Sequence, residues 1–168
     1  MGQFAGLACV LLGSVSVWAA EPSPARSLEA LSVYGGSWLV TPKPAEGEAP
    51  HTDQLTNRCL MGDTFYTCEQ VVNGKAVALL VFTPGKTPGT YHSTIVMPDG
   101  VAGARPGDLT ISGQHWTYLN KDGDGKPSFR VDNVVTDRDH IHFEQFKATP
   151  GGGWERVGEG DEVRTTSP

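Results

Sequence analysis

The sequence of 168 residues predicts an all-β fold: a closed antiparallel up-and-down meander barrel of about eight to ten strands, with a short N-terminal helix ahead of it. Three observations predict it. From Gly36 onward, short runs of alternating apolar and polar residues follow one another almost without interruption. Turn-forming breakers separate those runs at Asn73-Gly74, Pro84-Gly85, Pro98-Asp99-Gly100, Asp122-Gly123-Asp124-Gly125 and Gly151-Gly152-Gly153. The 21 glycines and 12 prolines show no repeat period, which suits many short strands and turns. Short loops make neighbouring strands antiparallel, and a meander this long must curl and close because an open sheet leaves two unpaired edges.

The chain divides into three parts. Residues Phe4 to Trp18 form an apolar run interrupted only by Gly and Ser, too short to cross a bilayer as a helix, and Val17-Trp18-Ala19 offers small residues where signal peptidase reads. Residues 1–20 are therefore read as a signal peptide cut after Ala19 or Ala20, although Met1-Gly2-Gln3 carries no basic residue; Cys9 leaves with it. The expected location is periplasmic or secreted, with no transmembrane segment after cleavage. Residues 21–35 are an N-terminal segment with a short helix, Ser23 as its N-cap, Pro24 in its first turn, and Leu28 and Leu31 on one side. Such a helix could plug one barrel end. Residues 36–168 form the barrel domain.

The strands follow in order. Ser37 to Thr41 is the first. A loop over Gly62 to Phe65 then sets Cys59 directly opposite Cys68 and Arg58 opposite Glu69. Opposed Cβ atoms lie about 4.5 to 5.5 Å apart, so the two cysteines are expected to form a disulfide in an oxidising compartment. Asn73-Gly74 is the strongest hairpin signal and joins Phe65–Val72 to Lys75–Phe82. Strict alternation across both turns puts Asn57, Cys59, Tyr66, Cys68, Gln70, Val72, Val77, Leu79 and Val81 inward. Arg58, Glu69, Leu80 and Phe82 then face out. The remaining strands are Thr90–Met97, Asp108–Ser112, His115–Leu119, Ser128–Val135, His140–Ala148 and Trp154–Arg164.

Gly36-Ser37-Trp38 on the first strand, Thr136-Asp137 late in the chain and Arg164 near its end occur in an order that resembles the lipocalins and related calycin β-barrels, the superfamily that includes fatty-acid-binding proteins. Arg138 stands where the family's Thr-Asp-Tyr motif has Tyr. The chain looks most like uncharacterised secreted bacterial members. The resemblance implies barrel closure by Arg164 packing over Trp38.

Function is less legible than shape. The net charge of −6, with no concentration of Lys and Arg, speaks against nucleic acid. A barrel of this size either is packed solid or encloses one small ligand. In the second case Tyr66, Val77, Leu79, Tyr91, Ile95, Trp116, Tyr118, Phe129, Val131, Ile141 and Phe143 would line it, with Asn57, Gln70 and Asn133 as polar anchors. The expected partner is a small apolar or lipid-like molecule, held without catalysis and without a cofactor.

Two metal readings stand beside that one. His140, His142 and Glu144 share one strand face and could ligate zinc, and related barrels that hold haem do so through a histidine. Asn120-Lys121-Asp122-Gly123-Asp124-Gly125 has the opening of a calcium loop, but its twelfth position is Val131 where Glu is needed. Adjacent Ser93 and His92, or Asp139 and His140, point to opposite strand faces and form no catalytic dyad. An accessory role contacting an envelope protein would leave exposed apolar residues, with Leu80 and Phe82 as its clue.

Overall fold

The computed structural model describes residues 28–98 and 100–165. The signal peptide read over residues 1–20, and the helix start at Ser23 and Pro24, lie outside them. Ten strands follow in chain order: β1 (Gly36–Pro42), β2 (Asp53–Met61), β3 (Tyr66–Val72), β4 (Lys75–Pro84), β5 (Thr90–Met97), β6 (Gly100–Ser112), β7 (His115–Lys121), β8 (Pro127–Val135), β9 (His140–Ala148) and β10 (Trp154–Thr165). Each pairs antiparallel with its neighbours in sequence, and β1 pairs with β10, so the meander closes into a barrel with no free edge.

The helix is a two-turn 3-10 helix, Glu29–Tyr34, with no side-chain cap at its start. Its Leu31 and Val33, with Leu28 before it, are buried among Tyr66, Phe82, Tyr91, Leu109 and Trp116 and fill the adjacent barrel end, called the lower end here. Arg164 fastens this plug. Its Nη1 and Nη2 donate to the carbonyls of Gly35 and Val33 at 2.5 and 2.6 Å, its Nε donates to the Arg138 carbonyl at 2.9 Å, and its guanidinium lies 4.1 Å from the Trp38 ring centroid. A cation on the last carbonyls of a helical turn is electrostatically favoured. The Gly-x-Trp glycine has a physical reason here. Gly36 sits at φ +111°, and a Cβ there would lie 2.7 Å from the Arg164 guanidinium.

The β2–β3 register is the one the loop length predicts: Cys59 faces Cys68, Arg58 faces Glu69, and the two cysteines form a disulfide. Past the Asn73-Gly74 turn the structure departs from strict alternation. Val71 pairs with Ala76 but Gln70 pairs with Ala78, which leaves Val77 as an extra residue, a β-bulge. One inserted residue exchanges the two faces of everything beyond it. Phe82 is buried at 1% exposure and Leu80 turns inward, whereas Leu79, 41% exposed, turns out along with Val81; Val77 is the unpaired bulge residue itself. Leu80 and Phe82 are thus wall and core residues, not a docking face.

β6 is the other correction. It begins at Gly100, well before Asp108: Gly107, Pro106 and Arg105 continue the regular pairing opposite Ser93, Thr94 and Ile95, and the ladder then steps irregularly to Met97–Gly100 across the stretch that holds Gly103. A local departure from regular pairing accommodates residues that would break a regular strand.

Candidate functional site

Above the packed lower end the barrel is hollow. A cavity of about 310 Å3, open at one side, is lined by side chains from β1, β2, β3, β4, β5, β7, β8, β9 and β10 and from the 3-10 helix. That volume is at the small end of ligand pockets, roughly 300 to 1,000 Å3. The space follows from residue size. On the lower rows the strands point Trp38, Tyr66, Phe82, Tyr91, Trp116 and Ile141 inward, all buried. On the upper rows the same strands offer Val40, Val72, Ala78 and Val131, and β10 contributes Gly160, over which the Phe143 ring closes so tightly that a Cβ would lie 2.7 Å from it.

The cavity floor is built around Tyr34, the last residue of the 3-10 helix. Its ring meets the Trp116 ring edge-on at 5.0 Å and the Tyr118 ring at 6.0 Å. Its hydroxyl accepts from Asn133 Nδ2 at 3.1 Å and is hydrogen-bonded to the Tyr118 hydroxyl. Burial raises the pKa of both phenols far above the ordinary value, so both stay protonated. The Tyr34 carbonyl accepts from Trp38 Nε1 at 3.2 Å and from Asn57 Nδ2 at 3.0 Å. Because a carbonyl can only accept, the second bond fixes the Asn57 amide orientation and aims its Oδ1 elsewhere.

The wall is mostly apolar, with polar groups at few places. Gln70, Asn120, Gln145, Asp53 and Glu162 reach it. Asp53 is held by Asn73 Nδ2 at 2.7 Å. Glu162 lies on the inner face of β10, opposite Val40 on β1 and Ile141 on β9, and burial alone raises its carboxyl to about 7. The lining contains no Lys, Arg or His.

The residues expected in the interior thus separate into groups. Asn57, Gln70, Ile95, Tyr118, Val131, Asn133 and Phe143 line the cavity. Tyr66, Tyr91, Trp116 and Ile141 are packed beneath it, and Phe129 is partly buried on β8 without lining it. Leu79 is turned outward by the bulge, and Val77 is the bulge itself, so neither lines the cavity. Tyr34, Glu162, Asp53, Asn120, Leu80 and Phe82 line the cavity without having been singled out for it. Two of these had a readable signal. Glu162 lies two residues from Arg164 on the same strand face, and Asn120 continues the series Trp116, Tyr118.

The metal candidates do not converge. His140 Nδ1 pairs with Asp137 at 3.0 Å, His142 Nδ1 with Asp161 at 2.8 Å, and Glu144 with Arg156 at 3.1 Å. Among the described residues no three His, Cys, Asp or Glu side chains form a metal-holding group. All five histidines of the sequence, His51, His92, His115, His140 and His142, are exposed on the outside, so the donor set does not fit a histidine-held haem in the barrel. The Asp122 loop is a hairpin turn: Asp122 Oδ1 accepts from the backbone N–H groups of Asp124 and Lys126 at 3.0 and 2.8 Å. His92 pairs with Asp108, while Ser93 points into the barrel.

No protein-family model matches the chain, and no curated protein matches it. Among solved structures, the fold is similar to the crystal structure of Rv2717c from M. tuberculosis, with a TM-score of 0.53 at 16% identity over 83% of this chain and 98% of that one. At that identity the likeness concerns the fold.

Proposed function

We propose that this chain is an exported, calycin-type barrel that binds one small, largely apolar molecule without transforming it. The observation that carries the reading is the half-open cavity of about 310 Å3, apolar over most of its wall and set above a packed floor. A fold that merely needed stability would gain by filling that space, since each missing methylene forfeits dispersion contacts. Export is supported by the Cys59–Cys68 disulfide, which persists in oxidising compartments. No helix among the described residues is long and apolar enough to cross a membrane. The outer barrel face carries charged pairs such as Arg58–Glu69, Lys121–Asp108 and Arg156–Glu144, whereas a membrane barrel turns an apolar band outward.

A titration with the neutral dye Nile red tests the reading. Saturable one-to-one binding is expected, lost in a Val131→Trp variant that fills the cavity while folding normally. Absence of saturable binding, or binding unaffected by Val131→Trp, would overturn it.

A further inference from the structure

The cavity's charged groups are of one sign, and some of its polar atoms are unmet. Asn57 is 4% exposed and its Oδ1 receives no hydrogen bond from the protein. Asn120 is 9% exposed and its Oδ1 is equally unmet. The Glu162 carboxyl takes neither a hydrogen bond nor an ion pair from any described residue. The two amide oxygens are buried acceptors, costly when left unmet, and Glu162 is a half-buried carboxyl facing the cavity. Some donors nearby are used, the Asn57 amide N–H on the Tyr34 carbonyl, the Asn133 amide N–H on the Tyr34 hydroxyl and the Arg164 guanidinium on Val33 and Gly35, and those left over, the Gln70 and Gln145 amides, are neutral.

Charge points the same way. The ionisable groups facing Glu162 are Asp53, also in the lining, and the Tyr34 and Tyr118 phenols, which stay neutral; Arg164, two residues down β10, is committed to backbone carbonyls and Asp139. The lining therefore offers two carboxyl groups and no cation. A fatty acid or other carboxylate entering it would be desolvated beside like charge with no cation to offset it.

We infer that the cavity takes a small organic amine, an ammonium or secondary amine carried on a compact apolar body, with Glu162 as its counter-ion, and that it rejects carboxylates. The inference rests on the binding-barrel reading and names the chemistry of its ligand. An ammonium supplies up to three donors and is neutralised by a charge-assisted bond to Glu162, while its hydrocarbon part meets Leu55, Leu80, Phe82 and Val131.

Calorimetric titration at pH 8 with three probes of matched chain, octylamine, octanol and octanoate, tests it on wild type and on Glu162→Gln. Octylamine is expected to bind at least about tenfold tighter than octanol, with octanoate weakest. Glu162→Gln should lower octylamine affinity by about tenfold and leave octanol unchanged. Equal affinity for all three, or a preference for octanoate, would overturn the inference and leave the binding barrel standing. An octylamine preference that survives Glu162→Gln would overturn Glu162 as counter-ion. No binding of any probe, together with no Nile red binding, would overturn the barrel reading itself.

Discussion

The two ends of the barrel are made by the same ten strands and are built differently. Around the 3-10 helix, Trp38, Tyr66, Phe82, Tyr91, Leu109 and Trp116 fill the interior, Arg164 ties the plug to β10, and the disulfide links β2 to β3. Toward the other end the inward positions shrink to Val40, Val72, Ala78 and Gly160, and β10 and β4 are bulged. The upper half also holds polar atoms with no partner among the described residues: the amide oxygens of Asn57 at its floor and Asn120 in its wall, and the half-buried Glu162 carboxyl. Stability is concentrated in one half and chemical demand in the other, an arrangement expected of a rigid scaffold carrying a site.

If that contrast is real, substitutions in the two halves must differ in cost. The largest effect is expected from Trp38→Ala, which removes an indole that is 1% exposed and packed beneath Arg164. It should cost about 3 to 5 kcal/mol by chemical denaturation, against about 1 to 2 for Leu80→Ala in the partly open wall. Equal costs would mean the halves are equally packed. Next in size is the disulfide. Replacing Cys59 and Cys68 by Ser, or reducing the pair, should lower stability by about 2 to 3 kcal/mol, because a short loop in the unfolded chain is released. A denaturation midpoint unmoved by reductant would remove the disulfide from the account of the lower half.

The smallest effect sharpens the contrast, because it runs in the opposite direction. Glu162 has a folded pKa of about 7 against an ordinary 4.5. Below about pH 4.5 the group is protonated in both states and changes nothing. Between 4.5 and 7 the unfolded chain releases a proton that the barrel retains, so stability falls as pH rises, and above 7 the full cost applies. The full shift corresponds to about 3 kcal/mol, and solvent screening of the half-buried carboxyl lowers it, so Glu162→Gln should stabilise the protein by about 2 kcal/mol at pH 8 and by little at pH 4.5, read as a thermal midpoint across pH. A variant as stable as wild type at pH 8 would show that the carboxyl is well solvated and that the upper half carries no such cost.

The order of strands, the antiparallel closure and the Cys59–Cys68 pairing were all readable from residues close together in the chain. Alternation, turn chemistry and loop length are local, and a loop over Gly62 to Phe65 leaves one register for β2 and β3. The site was partly readable for the same reason: Asn57, Gln70, Tyr118, Asn133 and Phe143 line the cavity because they fall on the inward phase of regular strands. The errors arise where a local rule was interrupted. One extra residue at Val77 turned Leu79 out and Leu80 and Phe82 in, and β6 ran on in register through Pro106 before an irregular step to Gly100.

By itself, then, the sequence determined a ten-strand meander, its disulfide and the inward phase of most strands, since each depends on neighbours within one hairpin. Only the tertiary structure decided that the barrel is hollow above and solid below, that Tyr34 enters from outside the sheet to make the floor, and that Glu162 stands unpaired in the wall. Those properties depend on which side chains from strands distant in sequence meet across the barrel, and on the volume left when they do, neither of which is encoded in any one hairpin.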